Sequence, residues 1–145
     1  MKKQNAIHAL VDEHERALRY LLDMMTSWKE EKLQQTVDDK GTTVQDVLDH
    51  LVNSLYLYFS WMEKQLGRGT TPYPPVSANS LAEWREKITT CFPYCREVAT
   101  MLTDEDLGAA FPAPWNDQEI YMIEQMFEHA IVHVWRHCRQ LERLD

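Results

Sequence analysis

The chain has 145 residues, a formal net charge of −8, 44% hydrophobic residues and only 4 Gly and 6 Pro. That length and apolar content suit one ordinary domain, residues 1–145, with a sizeable core. The acidic balance excludes a broad nucleic-acid surface, which needs clustered Lys and Arg, and the scarcity of turn formers excludes a many-turned β-sandwich.

The first predicted helix runs from about Asn5 to Trp28, with Ile7, Leu10, Val11, Ala17, Leu18, Leu21, Leu22 and Met25 recurring at helical spacing. Polar Lys29 to Lys40 follows, and Gly41 ends any extension. A second helix starts at Thr42 or Thr43, where Thr42-x-x-Gln45 fits a capping box, and continues to about Gln65. Its first half is amphipathic. Its second half, Leu55 to Met62, is apolar nearly all round and calls for cover on more than one side, by other helices or a second subunit. The same run is too short to span a bilayer.

Gly67 to Asn79 reads as a loop, because Gly67, Gly69, Pro72, Pro74 and Pro75 cannot sustain a helix. A third helix begins at Ser80, with Ser80-x-x-Glu83 as a second capping-box match, and reaches about Leu102; Pro93 is expected to kink or split it. Thr103 to Trp115 is a second connection. A fourth helix is expected from Asn116 or Asp117 to about Leu144. Four helices of similar length define an all-α four-helix bundle, and connections of this length can cross over its ends. The cysteines are Cys91, Cys95 and Cys138; their odd number, with no apolar leader after Lys2-Lys3, fits the reducing cytoplasm.

The chemistry lies in the fourth helix. His129, His133 and His137 recur every four residues and share one helix face. Two imidazoles at i and i+4 can hold one transition-metal ion, and a catalytic site needs a third ligand from elsewhere. His50, beside Leu51 and one turn beyond Val47, is the natural donor. His8 sits near a fraying end, and His14, among Glu13, Glu15 and Arg16, reads as part of a solvated stretch. The bland reading of the stripe is a set of packed or interface histidines. Other architectures fail: there is no His-Glu-x-x-His, no Glu-x-x-His, no Cys-x-x-Cys and no glycine-rich phosphate loop.

Two segments carry a resemblance. Thr43-Val-Gln-Asp-Val-Leu-Asp-His50-Leu-Val and His133-Val-Trp-Arg-His137-Cys-Arg-Gln140-Leu, with Thr103-Asp-Glu-Asp-Leu107 before the last helix, resemble the DinB/YfiT-like family of metal-binding four-helix bundles. The resemblance implies His50, His133 and His137 as the three ligands of a divalent ion such as nickel or zinc. Arg139 stands where that family often has Gly, while Gln140 keeps its place and sets the register. A one-turn slip would instead pair His129 with His133. The implied activity is thiol-dependent S-transfer or isomerisation with a low-molecular-weight thiol such as bacillithiol or mycothiol. The ion would stabilise the thiolate that attacks a small electrophile, and hydrolysis by a metal-activated water is a variant. Glu128 and Tyr58 are candidate bases whose ordinary roles are surface and packing. The alternative is a non-enzymatic metal-binding or stress-response helical dimer, and a homodimer is expected either way.

Overall fold

The computed structural model describes residues 5–68 and 75–144. Lys2, Lys3, Gly69, Pro72, Pro74 and Asp145 lie outside the described residues. Four helices dominate: α1 (Ala6–Met25), α2 (Val44–Gln65), α3 (Leu81–Thr100) and α4 (Ile123–Glu142). A 3₁₀ turn, Glu30–Gln34, interrupts the polar segment after α1, and a second, Asp106–Gly108, leads into a short hairpin of β1 (Ala110–Pro112) and β2 (Ile120–Met122). Among the described residues no helix is long and apolar enough to cross a membrane.

The caps explain where the helices begin. Asn5 accepts the His8 N–H at the start of α1. At α2 the capping box is Thr43 with Asp46, one residue later than Thr42 with Gln45. Thr43 Oγ1 accepts the Asp46 N–H while Asp46 Oδ2 accepts the Thr43 N–H. Thr42 is committed elsewhere, its N–H bonded to Asp38 Oδ1 across a turn in which Gly41 adopts φ 83°. At α3, Ser80 caps as expected, but Glu83 reaches back to the Asn79 N–H.

One expectation narrows and another fails. The backbone of α3 stays helical through Pro93, so the helix is not split there. The last helix starts at Ile123 rather than Asn116 or Asp117, because Ile120–Met122 pairs antiparallel with Ala110–Pro112 in the register Phe111↔Tyr121. Pro112 and Pro114 suit an edge strand and a turn, and the Glu119 N–H bonds to the Asn116 carbonyl, closing the loop.

Packing follows the crossover topology. The main neighbours are α1 with α4, α2 with α4, α2 with α3, and α1 with α3. Helices α1 and α2 therefore lie across one diagonal of the bundle, and α3 and α4 across the other. This arrangement seats α2 between α3 and α4. Leu55, Tyr56, Tyr58, Phe59, Trp61 and Met62 are thereby buried within the chain, and only Leu57 of that apolar run is exposed. Cover by a second subunit is not needed to explain it.

His14 corrects the sequence reading most sharply. It is 1% exposed, its Nε2 finds no hydrogen-bond partner among the described residues, and its ring packs on Phe59 and Phe127 with centroids 5.1 and 6.3 Å away. Neighbouring Glu15 is also buried, paired with Arg19 and with Arg96 of α3. The charges flanking His14 thus did not mark a solvated face. Burial pushes the His14 pKa down from 6.5 to about 4. The folded state then binds fewer protons than the unfolded one between these values, so stability falls as pH drops through this window. Wild type should lose about 3 kcal/mol more than His14→Leu between pH 7 and pH 4, read from urea unfolding midpoints. Parallel pH profiles for the two proteins would refute this.

Candidate metal centre

The packing of α2 on α4 brings three imidazoles to one point. His50 lies two turns into α2, and His133 and His137 project from successive turns of α4. His133 Nε2 is 3.1 Å from His50 Nε2 and 3.1 Å from His137 Nε2. All three candidate ligand atoms lie within 4.8 Å of one another. The ring planes cross at 67°, 81° and 82°, so nitrogen edges converge instead of faces stacking.

The donor set suits a cation. Two nitrogens bound tetrahedrally at roughly 2.0–2.1 Å lie about 3.3 Å apart, close to the two separations here. Gln140 Oε1 accepts a hydrogen bond from His137 Nδ1 at 2.9 Å, which leaves His137 Nε2 as a bare lone pair aimed at the other rings. One proton on His133 Nε2 can serve only one of its two neighbours well, whereas one cation accepts all three lone pairs. His133 Nδ1 is buried without a hydrogen-bond partner among the described residues, so, unlike His137, its tautomer is not set by a protein acceptor.

Burial and neighbouring groups favour the neutral forms of His133 and His137, as metal ligation requires. Burial, then the neighbouring His137, His50, His129 and Arg136, push the His133 pKa down to about 3. Burial also lowers His137, partly offset by the Gln140 hydrogen bond. His133 is 9% exposed whereas His50 is exposed, so the cluster has a closed floor and an open side. Ser54 Oγ lies 3.5 Å from His50 Nδ1 and also hydrogen-bonds the Tyr58 hydroxyl, linking that phenol to the cluster's outer ring of contacts.

His129 is half-buried and lies outside the trio. Its ring lies nearly parallel to that of His133, at 16° and 6.3 Å, and its neighbours are Tyr58, Trp115 and Tyr121. His8 is exposed at the start of α1, and His14 is sealed in the core. Of the two candidate bases, Glu128 is exposed while Tyr58 is buried, its ring 5.5 Å from that of His133. Burial raises the Tyr58 pKa, so its phenol is protonated near neutrality. Trp115 and Tyr121 escaped the sequence reading, because the hairpin that carries them was read as loop and helix. Their one sequence signal was the excess of aromatic residues, which does not say which of them face a site.

The model of the DinB superfamily matches residues 13–141, which span the histidine cluster and most of all four helices. The chain belongs to the DinB superfamily. No curated protein matches its sequence.

Two substitutions separate the registers. His137→Ala should abolish uptake of zinc or nickel, while His129→Ala should keep the metal-to-protein ratio of wild type, both read by elemental mass spectrometry after dialysis. The opposite pattern would move the centre one turn toward the N-terminus of α4. Gln140→Leu, which removes the acceptor from His137 Nδ1, should weaken zinc binding by roughly 10–100-fold in a chelator competition.

Proposed function

We propose that His50, His133 and His137 hold one divalent transition-metal ion, nickel or zinc, in a cytoplasmic metal-dependent enzyme. Its reaction joins a low-molecular-weight thiol to a small electrophile. The observation that carries the reading is the convergence of three Nε2 atoms, two separations being 3.1 Å, with the open side at exposed His50. Three protein nitrogens leave a position for a cosubstrate, as catalytic rather than structural sites do. When bound, the ion would lower the pKa of a coordinating thiol so that the thiolate is available at neutral pH.

The chain's own residues do the rest. His133, held neutral by burial, anchors the floor of the site, and Gln140 orients His137. The thiol has to come from outside the protein. Burial pushes the Cys91 and Cys138 pKa values up to about 12 and raises Cys95 as well, so none of the three supplies a thiolate at neutral pH. The bundle would act as one domain and as a homodimer, to which Val132, 63% exposed, and Ile120, 58% exposed, lend uncovered apolar surface. The competing reading, a non-enzymatic metal-binding dimer, shares the ion and the dimer but turns nothing over.

Untagged wild type should carry about one late transition metal per chain, and His133→Ala should carry none, by elemental mass spectrometry. Metal-loaded wild type should then consume thiol in the presence of a small electrophile, with no turnover in His133→Ala. Wild type that neither carries nor takes up nickel or zinc would end the metalloenzyme reading. Loaded protein inactive toward a panel of thiols and electrophiles would favour the metal-binding dimer.

A further inference from the structure

Beside the histidine cluster stands a group of rings that the metal chemistry does not use. Trp115, from the hairpin loop, lies 5.2 Å from His129 and 5.2 Å from Tyr121 between ring centroids, and 6.1 Å from Tyr58. Tyr121 and Tyr58 meet His129 edge-on at 86° and 89°. Tyr58 also meets His133 edge-on, so the group reaches the centre through that ligand candidate. From His137 to His129 the seam of α4 runs eight residues, about 12 Å, the span of a small molecule.

Core packing does not account for Trp115. The ring cluster of His14, Phe59 and Phe127 is sealed, whereas the Trp115 indole remains 43% exposed. It is nevertheless held in place. Its Nε1–H donates to Glu119 Oε2 at 2.7 Å, Asn116 Nδ2 donates to the other Glu119 oxygen at 3.4 Å, and the Glu119 backbone carbonyl accepts the Ala113 N–H. The hairpin is fastened to α2 in turn, by Trp61 Nε1–H donating to the Pro112 carbonyl at 2.9 Å. An indole that is immobilised and still exposed has lost its freedom without hiding its apolar surface. That is the arrangement of a preorganised binding wall.

Its charge environment selects the occupant. A divalent ion at the three imidazoles disfavours a cation alongside it. The Glu119 carboxylate and the electron-rich faces of the rings disfavour an anion. An uncharged group suits both constraints, and among uncharged groups an aromatic ring can stack on or meet edge-on the rings of Trp115 and Tyr121.

We propose that Trp115, Tyr121 and His129, backed by buried Tyr58, form an aromatic wall that seats a neutral aromatic ring of the electrophile, with its reacting atom directed toward His50, His133 and His137. This inference rests on the metal reading above and adds the substrate class to it.

Two probes share a metal-chelating head and differ only in the tail: benzohydroxamic acid carries a phenyl ring and acetohydroxamic acid a methyl group. Calorimetric titration of zinc-loaded protein should show wild type preferring the phenyl probe by roughly tenfold or more. Trp115→Ala should erase most of that preference while leaving the zinc content and the affinity for acetohydroxamic acid unchanged. Trp115→Phe should retain most of it, which separates ring contact from collapse of the hairpin. Zinc-loaded protein whose preference is the same in wild type and Trp115→Ala would overturn the wall and leave the metal centre standing. Protein that takes up no zinc and binds neither probe would overturn both.

Discussion

The packing of α2 against α4 is the constraint on which the rest of the site depends. Crossover connections put consecutive helices α1 and α2 on one diagonal of the bundle and α3 and α4 on the other, which makes α2 a direct neighbour of α4. A chain reversing into adjacent helices throughout would pack α3 on α4 instead and leave His50 across the diagonal. As it is, 83 residues of separation collapse to a 3.1 Å contact between His50 and His133. Buried α2 side chains such as Leu48, Leu51, Leu55 and Phe59 share the core with Phe127, Ala130 and Val134 of α4, and this apolar burial holds the polar cluster in register.

The same burial shapes the chemistry. Burial first, and neighbouring imidazoles second, disfavour protonation of His133 and His137 in this half-covered seam, so both present lone pairs where isolated histidines would present a mixture of states. His14, a few side chains deeper, shows the other outcome of burying an imidazole. It too is driven neutral, but it packs on the rings of Phe59 and Phe127, and among the described residues no metal-ligand cluster includes it. What distinguishes a centre from a buried histidine is convergence.

The hairpin completes the picture on the side of His129. Two short strands displace the start of α4 by about two turns relative to its apparent sequence boundary and carry Trp115 and Tyr121 to the seam. Pinned by Trp61 and by the Glu119 contacts, this small element sets aromatic rings against His129 of α4.

Much of the fold is legible in the amino-acid sequence. The recurrence of apolar residues determined four helices, and Asn5, Thr42 or Thr43, and Ser80 marked the starts of the first three within a residue or so, because helix periodicity and capping are local properties. The spacing of His133 and His137 determined that their rings share a face, and the motifs around His50 and Gln140 pointed to the third imidazole and the register. Burial of His14 was not legible, since its charged neighbours Glu15 and Arg16 resemble a solvated stretch until Arg96 of α3 arrives to pair with Glu15. Nor was the hairpin, whose three-residue strands exist only because each pairs with the other and Trp61 anchors them. The sequence by itself determined the helices and the donor chemistry. Only the tertiary structure decided which histidines meet and which rings surround them, because convergence depends on contacts between residues far apart in the chain.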